Sequence, residues 1–217
     1  MKIFYLIEAL AAVWLGWVLL VLAERTVREN GHTVKKSWEI RRVIVPLAVC
    51  QVVLAFFLPV YYGVVQQDLL RTLLMVSVLW ACAWSDVQVC LIPNRVVLVG
   101  ALGSLLLMGI EILQQPQQML YIVVRSGMAA AALLVTALLC RAISPKAVGM
   151  GDVKILAVMG LGLGMDLVWP ALFFSFALLF VVCVGLLITR KATRSDSVPF
   201  APFLCVGTVL AAFLTGI

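Results

Sequence analysis

The sequence predicts an all-α, polytopic transmembrane helix bundle of about eight spans. Of its 217 residues, 65% are hydrophobic and only 12% are charged, and the mean hydropathy is +1.16. A soluble domain is nearer half apolar and a quarter charged, so lipid must surround most of this chain. Apolar stretches recur along it at about 20 residues, the length that crosses a bilayer core of about 30 Å. A soluble globular protein is therefore excluded.

The apolar stretches predict eight spans. They lie near 3–22, 43–63, 67–85, 94–113, 120–140, 153–167, 168–189 and 199–216. We divide the chain into two N-terminal helices with a short basic loop (residues 1–66) and a six-helix core (residues 67–217). The sixth span is short and rich in glycine, so 153–189 could instead form one long tilted helix or a re-entrant segment. Within it, Gly160 and Gly164 predict close packing against a neighbouring helix.

The basic residues indicate the number and orientation of the spans, because cytoplasmic loops carry an excess of Lys and Arg. With eight spans, thirteen of the 16 basic residues fall on one side: Arg25, Arg28, Lys35, Lys36, Arg41, Arg42, Arg95, Arg141, Lys146, Lys154, Arg190, Lys191 and Arg194. The connection at 114–119 has none. A single helix over 153–189 would move the last three of these residues to the opposite side. The charges thus favour eight spans, a cytoplasmic loop at 24–42 and periplasmic termini, and the net charge of +6 does not require nucleic-acid binding.

The six cysteines do not predict a metal site. None forms a C-x-x-C pair, and the single histidine, His32, has no partner nearby, whereas zinc sites usually combine close Cys or His pairs. We interpret the cysteines as small apolar packing residues. No metal and no cofactor is indicated.

Two of the ten carboxylates share a predicted depth in the membrane. Asp86 ends the third span and Asp152 begins the sixth, both at the cytoplasmic face. Ionisable groups at membrane depth are costly and tend to mark function, although either aspartate alone could be a solvated helix-end residue. Two aspartates brought together share a proton near neutral pH, so one can activate water while the other polarises a scissile carbonyl.

Three other ionisable residues lie within predicted spans. Glu8, in the first span, has no obvious partner. Lys154, one turn into the sixth span, is expected either to snorkel or to tune Asp152, and Arg125 is expected to snorkel to the outer interface.

The segments around the two aspartates add to this pattern. Gly149 and Gly151 would let the backbone approach a peptide substrate closely, because glycine lacks a Cβ. Pro93 biases Ile92 away from helix, so Ile92-Pro93-Asn94 predicts a turn that returns the chain to the membrane.

Three segments resemble the type IV prepilin peptidases, within the G-x-G-D membrane aspartyl proteases. They are Asp86 with Ile92-Pro93-Asn94, then Gly149-Met150-Gly151-Asp152-Val153-Lys154-Ile155-Leu156, and Val198-Pro199-Phe200-Ala201-Pro202-Phe203-Leu204. The resemblance covers roughly residues 86–204. It implies a catalytic pair with supporting residues: Asp86 and Asp152, supported by Gly149, Gly151, Lys154, Pro93, Asn94, Pro199 and Pro202.

The resemblance also implies the substrate and its place. This is a prepilin or pseudopilin precursor, whose short basic leader is removed at the cytoplasmic face of the bacterial inner membrane. Many bacterial members of the family also methylate the new N-terminus and carry paired cysteines in a larger cytoplasmic loop. The loop at 24–42 has no cysteine, so methyl transfer is doubtful. Ala201 stands where the family usually has glycine, and residues 87–90 lack its usual basic residue.

Two other functions fit part of this pattern. A presenilin-like intramembrane protease shares G-x-G-D, and Pro170-Ala171-Leu172 supplies its P-A-L segment, but the predicted topology puts this segment at the outer face. A non-enzymatic transporter or assembly subunit would line a path with acidic residues, but such proteins often contain inverted repeats, and we find none here. The oligomeric state does not follow from the sequence.

Overall fold

The computed structural model describes residues 2–31, 40–63, 66–144, 148–189 and 198–216, and every regular element within these ranges is helical. The seven helices there are α1 (Lys2–Glu29), α2 (Ile40–Phe57), α3 (Gln66–Val89), α4 (Asn94–Gln114), α5 (Met119–Ile143), α6 (Met150–Ile188) and α7 (Ala201–Thr215). A π-helical turn, Leu58–Tyr62, extends α2, and a short 3-10 turn, Pro116–Gln118, precedes α5. The all-α prediction is confirmed.

Six stretches of the described chain, in α1 to α6, are long and apolar enough to cross a membrane. The chain is therefore a multi-pass membrane protein. The first five predicted spans correspond to α1 to α5, and the last corresponds to the shorter α7. One difference concerns the predicted loop at 24–42: α1 continues to Glu29, so the first part of that loop is helical. Residues 32–39 and 190–197, with their predicted cytoplasmic charges, lie outside the described residues.

Helix α6 contains both the sixth and the seventh predicted spans. Its 39 residues are broken at Gly164, where φ is 68° and ψ is −174°, a conformation that residues with a Cβ rarely adopt. The predicted boundary between 167 and 168 is thus a few residues too late. A break is expected on physical grounds, because an unbroken helix of this length would rise about 58 Å, far beyond a bilayer core of about 30 Å.

The neighbours of α6 differ on the two sides of this break. In the first half, Lys154 contacts Asn94 at the start of α4, and Gly164 packs against the side chain of Arg125 near the start of α5. In the second half, Ser175 lies against Gly207 of α7, and Phe176 stacks on Phe200, just before α7 begins, with ring centroids 5.7 Å apart. The first half of α6 therefore runs from the start of α4 towards the start of α5. The second half lies beside α7 and approaches the start of that helix.

Helix α3 is the central helix of the bundle. Of its most apolar stretch, 72% is buried, against 17–39% for the other five candidate spans. Helices α1, α2, α4, α6 and α7 all contact it. The predicted tight packing of α6 is also confirmed, against α5: a Cβ on Gly160 would lie 2.7 Å from the backbone of Ala129. Because α3 is enclosed by its neighbours, the aspartate at its end is held in a fixed surrounding.

A cluster of ion pairs lies at the end of the bundle away from Asn94. Arg71 pairs with Glu111, and Arg125 pairs with Asp68 at 2.9 Å and Asp166 at 3.4 Å. The side chain of Arg125 is only 13% exposed, so the expectation that it snorkels to water is wrong. Its charge is instead balanced by carboxylates from α3 and α6.

Glu8 also has a partner. Its Oε1 accepts a hydrogen bond from Nε2 of Gln66, at the start of α3. The expectation of an unpartnered Glu8 is therefore wrong, and this contact ties α1 to α3 at the same end as the ion pairs. Near the middle of the bundle, Gln51 donates to Ser77, which ties α2 to α3 as well.

Candidate active site

Asp86 and Asp152 lie at the same end of the bundle. Asp86 is in the last turn of α3 and Asp152 is in the first turn of α6. The start of α6 lies against the turn that follows α3, because a Cβ on Gly151 would lie 2.9 Å from Cβ of Ile92. Asp86 is only 6% exposed, whereas Asp152 is half-buried. The fold thus brings two carboxylates together from segments that are far apart in the sequence.

The carboxylate of Asp86 faces the first turn of α7. Its Oδ2 accepts a hydrogen bond of 2.9 Å from the main-chain N–H of Ala201. N–H groups in the first turn of a helix have no intrahelical acceptor, and the positive end of the helix dipole favours a negative charge there. The segment that contains Pro199 and Pro202 therefore begins a helix directly against Asp86.

The carboxylate of Asp152 faces the residue that precedes its own helix. Its Oδ2 accepts a hydrogen bond of 3.1 Å from the N–H of Gly149. The carbonyl of Val148, in the same peptide group, accepts a hydrogen bond of 2.8 Å from Nη1 of Arg141, at the end of α5. Both aspartates are thus held by main-chain donors, one from α7 and one from the turn before α6.

The supporting residues predicted from the sequence lie around this pair. Lys154 donates a hydrogen bond of 3.0 Å from Nζ to Oδ1 of Asn94; of its two expected roles, this contact is neither snorkelling nor a direct bond to Asp152. Pro93 precedes α4 in an extended conformation, with φ −69° and ψ 119°, so the predicted turn that returns the chain into a helix is confirmed.

The two glycines of the G-x-G-D segment are close to groups of this chain itself. A Cβ on Gly151 would lie 2.9 Å from Cβ of Ile92, and a Cβ on Gly149 would lie 2.9 Å from Oδ2 of Asp152. The sequence predicted a close approach to substrate. The close approach that the structure contains is that of the α6 start to the turn before α4 and to the Asp152 carboxylate.

The Pro170-Ala171-Leu172 segment is placed differently from the prediction. The carbonyl of Ala171 lies next to Gly207, midway along α7, so this segment is not at the outer end of the bundle. Gly207 is six positions from Ala201 on α7, or about 9 Å along the axis. The donor to Asp86 comes from Ala201 and not from the segment that a presenilin-like enzyme would use.

Sequence reasoning missed two contacts in the site. Arg141 was interpreted only as a cytoplasmic charge, and the N–H of Ala201 carries no signal in its side chain. The one available indication for Ala201 was its position just before Pro202 in a segment that predicts a helix start.

The chain is similar to known leader peptidases. Residues 73–189 match the model of the type IV leader peptidase family, a range that contains both Asp86 and Asp152. The chain is also 30% identical over 146 residues to the prepilin leader peptidase/N-methyltransferase of Bacillus subtilis (strain 168). That match covers 66% of this chain and 55% of the relative, so the chain spans about half the length of the relative.

No solved structure matches the chain. The family match, however, covers more than half of its length and includes both aspartates, with the first two of the three segments on which the resemblance rests. The chain belongs to the type IV leader peptidase family.

Proposed function

We propose that this protein is a membrane aspartyl endopeptidase whose catalytic groups are Asp86 and Asp152. The observation that supports the proposal is the position of these two carboxylates at one end of the bundle, each with a main-chain N–H donor of its own. A pair of carboxylates in a half-buried site shares one proton. Neither a metal nor a cofactor is needed for this arrangement to hydrolyse a peptide bond.

The chemistry divides between the two groups. The ionised carboxylate takes a proton from a water molecule, which attacks the carbonyl carbon of the scissile peptide. The protonated carboxyl donates a hydrogen bond to the carbonyl oxygen and stabilises its developing negative charge. Transfer of a proton to the leaving nitrogen then releases an amine and a carboxylate product. Asp152 is more exposed than Asp86, so the water is expected to reach the pair from the Asp152 side.

The proposed substrate is a type IV prepilin or pseudopilin precursor, cut between a short basic leader and its apolar helix. The family match and the peptidase named in the Bacillus subtilis relative support this class of substrate. A peptide bond at the membrane surface can reach the pair without exposing backbone groups to hydrocarbon, which would cost several kcal/mol per group.

The proposed location is the bacterial inner membrane, with the aspartate pair facing the cytoplasm. Arg28, Arg95, Arg141 and Lys154 lie at the end that contains the pair, whereas Arg71 and Arg125 lie inside the bundle at the opposite end. This charge difference supports a cytoplasmic site by the positive-inside rule. We propose that α6 forms two spans on either side of its break at Gly164. The chain would then cross the membrane eight times, with both termini in the periplasm.

Methylation of the new N-terminus is not part of the proposal. The Bacillus subtilis relative is named as a peptidase and an N-methyltransferase, but the matched region is about half of that protein. The loop at 24–42 lacks cysteine, which leaves the peptidase step as the proposed activity of this chain.

The test is cleavage of a purified pilin precursor by the purified protein in detergent micelles, followed by mass spectrometry of the products. Asp86→Asn and Asp152→Asn are each expected to abolish cleavage while the protein still inserts into membranes. The matched control is Asp166→Asn, which changes an exposed aspartate on the same helix as Asp152 and should cleave at close to the wild-type rate. Substantial turnover by either of the first two variants would refute the paired mechanism.

A further inference from the structure

One peptide group links Arg141 to Asp152. Its carbonyl, from Val148, accepts the 2.8 Å hydrogen bond from Nη1 of Arg141, and its N–H, from Gly149, donates the 3.1 Å hydrogen bond to Oδ2 of Asp152. Because a peptide group is planar, the direction of its carbonyl fixes the direction of its N–H. A cation on one side and a carboxylate on the other therefore hold this group in a single orientation.

The contact of Arg141 differs from those of Arg28 and Arg95 at this end of the bundle. Arg28 pairs with Glu24 and Arg95 pairs with Glu29, both as ion pairs. Within the described part of the chain, Arg141 has no ion pair, and its hydrogen bond goes to the Val148 carbonyl. Its position in the last turn of α5 also suits a cation, but that position alone does not explain a bond to the turn before α6.

We propose that Arg141 is a positioning residue that orients the Asp152 carboxylate through the Val148–Gly149 peptide group. The proposal rests on the peptidase function proposed above and deepens it. Hydrogen bonds in a chain polarise one another, so the guanidinium strengthens the N–H of Gly149 as a donor. Arg141 touches neither substrate nor water in this role; it fixes the geometry of the carboxylate that does.

The activity test compares three variants with the wild-type protein. Arg141→Met keeps the apolar stem but removes the donor, and we expect kcat to fall about tenfold or more with little change in KM, as for a lost hydrogen bond to a charged site. Arg141→Lys keeps a cation but loses the planar guanidinium, and we expect a smaller fall of about threefold. Arg28→Met removes a cytoplasmic charge of the same kind and should keep the wild-type kcat.

A purely topological role for Arg141 gives different results. Arg141→Lys would then match the wild-type protein, because the positive charge is retained. Wild-type kcat in either Arg141 variant overturns the proposal, and the Lys variant decides the matter if the Met variant does not insert.

A second measurement does not depend on activity. With 15N-glycine labelling, the amide signal of Gly149 is assigned by its loss in Gly149→Ala, and its rate of exchange with solvent is measured in micelles. Arg141→Met should raise this rate at least severalfold, and Arg28→Met should not change it. If the wild-type protein fails to cleave the precursor, the peptidase proposal falls, while an unchanged Gly149 exchange rate in Arg141→Met overturns the positioning role separately.

Discussion

The main-chain N–H of Ala201 donates a hydrogen bond of 2.9 Å to the carboxylate of Asp86, across 115 positions of sequence. This bond joins the start of α7 to the end of α3, and it brings the third of the three family-like segments into contact with the first. Since the donor is a backbone group, the identity of the side chain at 201 matters little for the bond. The alanine found here in place of the usual glycine is therefore compatible with an intact site.

Removal of this N–H should impair catalysis. Ala201→Pro lacks the donor at the first position of α7, where proline is otherwise tolerated, and we expect cleavage of the pilin precursor to slow by about tenfold or more. Ala201→Gly keeps the donor and should cleave at close to the wild-type rate.

Proline also disfavours the helical conformation of the residue before it, here Phe200, with φ −91° and ψ −36°. The melting temperature of each variant in micelles is therefore measured beside its activity. A fully active Ala201→Pro enzyme would show that the bond has no part in the reaction.

The buried ion pair between Arg71 and Glu111 should contribute strongly to stability. Arg71 is 2% exposed, and Glu111→Gln would leave its charge without this partner, at an expected cost of about 3 kcal/mol. The matched control is Glu29→Gln, which breaks the exposed pair with Arg95 and should cost less than about 1 kcal/mol. Denaturation curves in micelles measure both; equal effects of the two substitutions would contradict the assigned burial.

The contact between α5 and α6 should not tolerate a larger residue at 160. A Cβ on Gly160 would lie 2.7 Å from the backbone of Ala129, whereas a Cβ on Gly127 would meet nothing within 4 Å. Gly160→Ala is expected to destabilise the protein by about 1–3 kcal/mol through overpacking. Gly127→Ala, in the adjoining helix, should be neutral or slightly stabilising, and a loss of stability there as large as at 160 would argue against this packing.

The orientation of the site can be tested by labelling. Single cysteines at Asn94→Cys and Gln115→Cys, in a variant without native cysteines, are treated with a membrane-impermeant thiol reagent in sealed cells. Gln115→Cys should react, because it lies at the predicted outer face, and Asn94→Cys should react only after permeabilisation. Reaction at position 94 in sealed cells would place the aspartate pair outside the cell. The proposal that the protein cleaves the cytoplasmic leader of a pilin precursor would then be refuted.

The product of cleavage should carry no added methyl group. Mass spectrometry of a pilin processed by this protein in the presence of S-adenosylmethionine is expected to give the mass of the trimmed chain alone. A monomethylated N-terminus that forms with this protein and no other enzyme would show a second activity and would contradict the interpretation of the cysteine-free loop.

The sequence was sufficient to predict the helical class, the membrane environment and the position of the two aspartates at one end of the bundle. These features depend on composition and on local patterns, such as the apolar lengths and the G-x-G-D segment, which need no knowledge of packing. The partners of Glu8 and Arg125 could not be predicted in this way. They come from helices far apart in sequence, and apolar periodicity does not show which polar groups face one another across a bundle.

The break in α6 is an intermediate case. Glycines at 160, 162 and 164 indicated an unusual helix, and Asp166 just beyond them suits the start of a new one. The apolar pattern nevertheless continues through both halves, so the boundary was predicted a few residues late. Only the backbone angles at Gly164 fix it.

The break at Gly164 also determines the length of the helical segment that contains Asp152. The first half, from Met150 to Leu163, rises about 21 Å at 1.5 Å per residue, well short of a hydrocarbon core of about 30 Å. Hydrophobic mismatch of this kind is relieved by local thinning of the bilayer beside the short segment. Such thinning would draw lipid headgroups and water towards the carboxylate at its start. In the proposed peptidase, the glycine that shortens the helix at one end would thus help water to reach Asp152 at the other.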